Sequence, residues 1–294
     1  FIKLKLIIIF CLAWIALLPS PELLAQKKNV SLASKLIGRT DGLSEARGLL
    51  KEAMQDEKTG KDPKTYYTAG LVEWRSYDND VRKKQINPSD ASVKNSEMAE
   101  KILNGYNYFK KALELDTIKD KKGKIKPRYS REISELLVQY AYTLYRSGAI
   151  AYNGKKFYPD AYTGFVAGAD IAGNIMPENA VTTGISAKVS PLFTDSLRAL
   201  SYFYAGVSAY TADRQDEAMK AFADSERMNP RNSDMYVYMM SLLEKKILKD
   251  SVSISVHILA DSLLAVSKRA YKLFGISNPL FLRRTVDILN LSLI

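Results

Sequence analysis

The feature that most constrains this chain is a spacing. In "YFYAGVSAYTADRQDEAMKAFADSERMNP", Tyr202 to Pro230, a glycine at 206 is followed by Ala218, Phe222 and Pro230. Two antiparallel helices approach closely only where one offers a small residue and the other fills the gap with a large one. Gly206 and Ala218 supply the small positions, and Phe222, one turn beyond Ala218 on the same helix face, supplies the filling. Asp213 to Asp216 then reads as the turn, and Pro230 as the stop, because its missing N–H cannot continue a helical ladder. A glycine inside a helix costs about 0.8–1.0 kcal/mol against alanine, so its presence there marks a contact point. The expectation is a helical hairpin.

The same opening, Tyr-x-x-Ala-Gly, occurs at Tyr66 to Gly70. Anchored on the glycine, the pattern resembles the tetratricopeptide repeat, a 34-residue helical pair with an aromatic, a small pair, a second-helix Ala, a Phe and a Pro in that order. Further units follow with this template, near residues 30–58, 63–117, 132–173, 195–230 and 233–275. Ala46, Leu50 and Ala53 sit in a second helix. Gly70 opens a unit whose second helix carries Phe109 and Ala112, leaving Ser76 to Val93 as an insertion. Ala149, Tyr152, Ala161, Phe165 and Gly168 fall at the expected intervals, and Tyr236 and Met240 take the aromatic and glycine positions of the next unit. Residues 278–294 read as a closing helix, since a terminal unit has one neighbour only. The fold expected is all-α, which composition supports: 47% of residues are apolar, 26% are charged, and strand-like alternation is hard to find. The resemblance implies a right-handed superhelical solenoid of antiparallel helix pairs.

What the resemblance implies about function is a groove. In tetratricopeptide proteins the first helices line a concave surface that takes an extended peptide or a partner helix. Carried over from the glycine anchors, the groove positions here are Tyr67, Leu71, Trp74 and Arg75, then Arg146, Ile150 and Asn153, then Phe203, Val207 and Tyr210. Aromatics and arginines are the side chains most enriched at binding hot spots. They also dominate solenoid cores, so packing is the alternative for each. The partner implied is a protein or peptide.

Residues 1–25 carry Lys3 and Lys5 ahead of an apolar run, Leu6 to Leu18, then Pro19-Ser20-Pro21 and a small residue, Ala25. That is the layout of a secretory signal peptide, and the run is short for a membrane anchor of about 20 residues. Export to a bacterial periplasm or envelope is expected, with an uncleaved anchor as the alternative. Cys11, the one cysteine, follows bulky Phe10, which argues against lipid attachment. A chain without that leader has no cysteine for a disulfide, a thiolate or a metal.

His257 is the one histidine, so zinc sites and histidine-dependent triads lack ligands. No cofactor is expected, and no Gly-rich phosphate loop is present. The net charge of +11 favours anionic partners in the envelope, while export removes nucleic acid as one. The loop 117–131 concentrates that charge in Lys119, Lys121, Lys122, Lys124, Lys126, Arg128 and Arg131, a candidate anionic-surface site or a solvated linker. Acidic residues such as Glu97, Glu100, Asp213, Asp216 and Glu217 read as caps and solvated faces. Four Asp-Ser/Thr-aliphatic triplets, at Asp116, Asp195, Asp250 and Asp261, resemble envelope O-glycosylation acceptors and also suit helix caps and turns. The reading is therefore a non-enzymatic binding scaffold. Two alternatives stay open: a glycan or peptidoglycan hydrolase built on a buried carboxylate with a raised pKa, and an anionic membrane-surface binder working through the basic loop.

Overall fold

A computed structural model describes residues 21–117, 123, 127–249, 255–275 and 277–291. The apolar run and its flanking lysines, and Lys119, Lys121, Lys122, Lys124 and Lys126 of the basic loop, lie outside the described residues. Among those described, eleven α-helices and no strand are present. They fall into two compact units, one holding residues up to 137 with 176–186, the other 138–175 with 187 onward.

The first unit contains α1 (Pro21–Leu36), α2 (Leu43–Gln55), α3 (Pro63–Ile86), α4 (Asn95–Asp116) and the opening turns of α5 (Ser130–Asn153). Helix α3 starts where sequence chemistry demands, with Pro63 at its first position and the Asp62 carboxylate accepting from Lys64 N–H at 3.0 Å. The long helices α3 and α4 run antiparallel, since Gly70 meets Phe109 while Trp74 meets Gly105 and Ile102. A Cβ on Gly70 would lie 2.5 Å from the Phe109 ring, so only glycine admits that ring. Residues 76–86, expected to begin an insertion, instead continue α3 to Ile86, and only Asn87 to Lys94 is irregular. The extension is held from α4: Lys101 pairs with Asp80, whose side chain is only 10% exposed.

The second unit continues α5 and adds α6 (Tyr162–Ala172), α7 (Asp195–Thr211), α8 (Gln215–Met228), α9 (Ser233–Lys249), α10 (Ser255–Phe274) and α11 (Pro279–Leu291). The α7–α8 hairpin packs at the expected positions, but its turn is Ala212 to Arg214 and not Asp213 to Asp216, since Gln215 already opens α8. The Phe222 ring rests on Gly206, Ala218 is fully buried, and Ser225 Oγ donates to Ala199 O at 2.9 Å. Asp213 makes the turn with φ 56°, the left-handed region that Asp tolerates better than most residues. Pro230 lies exposed just beyond α8.

Between α5 and α6 the register differs from expectation. Ala149 is only half buried, and the closest approach is made by its neighbour Gly148, where an added Cβ would stand 2.8 Å from Phe165 N. Gly164 faces Gly148 and Gly168 faces Ala141, so here backbone meets backbone rather than ring meeting glycine. Ala161 and Phe165 are buried as expected.

Asp250 to Val252 lies outside the described residues, and the other three triplets are not a set of caps. Thr194 Oγ1, not Asp195, accepts from Leu197 N–H at the start of α7, and Asp261 and Ser262 lie within α10. Asp116 does cap, across the basic loop, taking N–H bonds from Arg128, Tyr129 and Ser130 at the start of α5.

Candidate functional site: an aromatic cleft across three helices

In the second unit, the helices α5, α7 and α9 together line an open cleft of about 520 Å³. Its wall consists of Tyr152 from α5, Phe203, Tyr204, Val207 and Tyr210 from α7, and Asp234, Val237, Tyr238 and Ser241 from α9. Three of these, Phe203, Val207 and Tyr210, are groove positions expected from the sequence.

Helical spacing explains the wall. Residues 203, 207 and 210 recur at one turn and then nearly two, on one face of α7. Phe203 and Tyr210 are half-buried, whereas Val207, at 7% exposure, is a core residue at the cleft floor, which corrects its placement on an open groove. Tyr202, Gly206 and Ala209 are buried against the neighbours of α7. The rings hold one another in place. Tyr210 and Tyr238 meet edge to face at 5.0 Å, Tyr152 and Tyr204 at 5.3 Å, and Phe203 lies 6.2 Å from Tyr238. Such pairs prefer these tilted geometries because ring edges are positive and faces negative. Lys245 Nζ stands 4.7 Å from the Tyr210 ring centroid, adding a cation–π contact. Burial raises the Tyr152 phenol above its ordinary pKa, so it stays a neutral hydroxyl. The cleft thus offers flat apolar faces with hydroxyls at their rims, Asp234 exposed on α9, and Lys245 three turns further along that helix.

Tyr204, Val237, Tyr238 and Ser241 were not among the expected groove residues, although the signal for them was present. A 34-residue period places 237 and 241 where 203 and 207 stand in the previous unit, and 238 where 204 stands.

The other expected positions divide by exposure. Arg75, Arg146 and Asn153 are exposed, and Leu71 and Ile150 half buried. Tyr67 and Trp74 are packing residues, at 9% and 2% exposure, and this corrects their placement on an open groove. Trp74 Nε1–H donates to Ile102 O at 3.0 Å and its ring meets Phe109 edge-on at 4.8 Å. Tyr67 stacks on Tyr129 at 4.6 Å, and burial with the adjoining Glu132 raises its phenol pKa. Arg128 is exposed, and Arg131 donates to Gly184 O at 2.5 Å.

Carboxylate chemistry has a narrower footing. Asp216 and Glu217 are held below their ordinary pKa values by Lys246 and Arg214 respectively, and Glu97 by Lys94. Glu73, largely buried, receives Arg47 at 2.6 and 3.0 Å. Asp170 is raised by desolvation, the direction a general acid needs, yet its oxygen accepts the Tyr202 hydroxyl at 2.6 Å and so ties α6 to α7. Among the described residues no group of three or more His, Cys, Asp or Glu could hold a metal, and His257 is exposed. No described helix is long and apolar enough to cross a membrane.

Fold and site together define an all-helical protein of paired antiparallel helices with an aromatic cleft on its first helices. No protein-family model matches the chain, and no curated protein does. One solved structure, from work on the functional characterization of Pseudomonas aeruginosa pilF, aligns over 91% of this chain and 90% of its own at 12% identity and a TM-score of 0.27. That score is too low to transfer fold or function, so the tetratricopeptide resemblance rests on this chain's own residues and contacts.

Proposed function

We propose that the protein is a non-catalytic scaffold of the bacterial envelope that binds a protein or peptide segment in the α5–α7–α9 cleft. The observation that carries the reading is the cleft wall itself: five aromatic side chains from three successive first helices, converging on one open surface. Tyrosines supply large rigid contact area at a low cost in conformational entropy, and their hydroxyls serve a partner's backbone. The amino-terminal lysines and apolar run support the envelope assignment.

The test places a photo-crosslinking residue at position 204 in the full chain and, as a control, at Ala223, an exposed position on α8. A partner captured from envelope fractions at 204, absent at 223, and lost when Tyr210→Ala and Tyr238→Ala are added, supports the cleft. Equal capture at both positions, or capture indifferent to the tyrosines, refutes it.

A further inference from the structure

The connection between α6 and α7 contains a strap, 176–186, that belongs to the first unit and crosses the opening turns of α5. Three α5 side chains on one helix face, at i, i+3 and i+4, hold it by its backbone. Arg131 donates to Gly184 O at 2.5 Å. Ser134 Oγ, fully buried, accepts Val181 N–H at 2.9 Å while donating to Ser130 O at 2.7 Å. The Glu135 carboxylate accepts both the N–H and the hydroxyl of Ser186, each at 2.9 Å.

These contacts read main chain plus one hydroxyl, the chemistry by which a surface binds a non-helical peptide in a sequence-tolerant way. The strap is weakly committed on its other side. Thr182, Thr183, Gly184 and Ser186 are exposed, Val181 and Ile185 only half buried. An open cleft of about 350 Å³ lies between Pro177, Glu178 and Asn179 and the α4 side chains Asn107, Lys110 and Glu114. A segment with few buried apolar contacts and exposed hydrogen bonds belongs to the part of a fold that opens most readily.

We propose that the Arg131–Ser134–Glu135 face is a second peptide-binding site, occupied here by the chain's own strap as an internal ligand. The partner that fits is an irregular peptide with a free N–H for Ser134, a carbonyl for Arg131, and a serine or threonine for Glu135. A competing segment binds at the cost of lifting the strap, so its apparent affinity falls by the fraction of time the face is free.

The test uses a fluorescent peptide of the strap sequence, residues 180–188, added to the full chain. In one variant Val181→Pro removes the N–H bonded to Ser134 and Ser186→Ala removes the hydroxyl bonded to Glu135. Circular dichroism confirms that helix content is unchanged. The expected result is binding at least about tenfold tighter than to the wild type, lost again when Glu135→Ala is added. Equal binding by both proteins, or binding indifferent to Glu135, overturns the proposal. A strap variant that dimerises and ignores the peptide overturns it too, assigning the face to a second copy. Wild-type hydrogen exchange gives a readout that needs no variant: Val181 and Ser186 amides should exchange much faster than those of α7, and protection equal to α7 overturns a displaceable strap.

Discussion

The ring of Phe222 occupies the space where any residue other than glycine at 206 would carry its Cβ, and Phe109 stands in the same relation to Gly70. The two pairs are 16 and 39 residues apart in sequence, yet they make one contact, a ring seated on a helical glycine. Alanine at either site gains helix propensity of about 0.8–1.0 kcal/mol and collides with a buried ring. Gly206→Ala and Gly70→Ala should therefore each destabilise by a net of about 1–3 kcal/mol in urea unfolding. Gly48, within α2 and with nothing near a would-be Cβ, is the control: Gly48→Ala should stabilise by about 0.5–1 kcal/mol.

Trp74 is a structural residue. Trp74→Ala should cost about 3–5 kcal/mol by thermal or urea denaturation, far beyond the effect of an exposed groove residue. Arg75→Ala, at an exposed position one residue on, should change stability by less than about 0.5 kcal/mol.

The buried Glu73 carboxylate depends on Arg47, which also donates to Ser76 Oγ at 2.7 Å. Arg47→Met strands that charge and should destabilise by about 2–3 kcal/mol. Adding Glu73→Leu should recover most of the loss, because an apolar pair of similar size replaces a buried ion pair at little cost. A double variant no better than the single one would show that the arginine acts through packing alone.

Asp170 sets a pH dependence whose sign follows from its environment. Burial holds its carboxyl above the usual carboxylate range, and the Tyr202 hydroxyl opposes this only in part. The fold therefore binds this proton more tightly than the unfolded chain. Its contribution is fully present below the ordinary carboxylate pKa and is lost as pH rises through the folded value. Asp170→Asn keeps an acceptor for Tyr202 without the charge, so its stability relative to wild type should improve between about pH 4 and pH 7. A relative loss over that range would mean that the hydroxyl bond to the charged form outweighs desolvation.

Much of this architecture was legible in the residues, because close contacts leave a chemical record. Gly206, Ala218, Phe222 and Pro230 encode a hairpin: a bare helix face, a ring to fill it and a stop are local requirements met within one stretch of chain. The 34-residue period even carried the α9 half of the cleft, Val237, Tyr238 and Ser241, as the echo of Phe203, Tyr204 and Val207.

Other features depended on neighbours that no local pattern names. Residues 76–86 are polar and read as an insertion, but Lys101 on α4 pairs with Asp80, so that stretch continues as helix to Ile86. Ala149 held the expected interval, while Gly148 beside it permits the backbones of α5 and α6 to touch. The sequence placed aromatic residues on first helices at Trp74 and at Tyr210 alike. Only the tertiary structure decided that Phe109 and α4 cover Trp74, whereas the space over Tyr210 stays open, because burial belongs to the whole set of neighbouring surfaces and not to the residue that is buried.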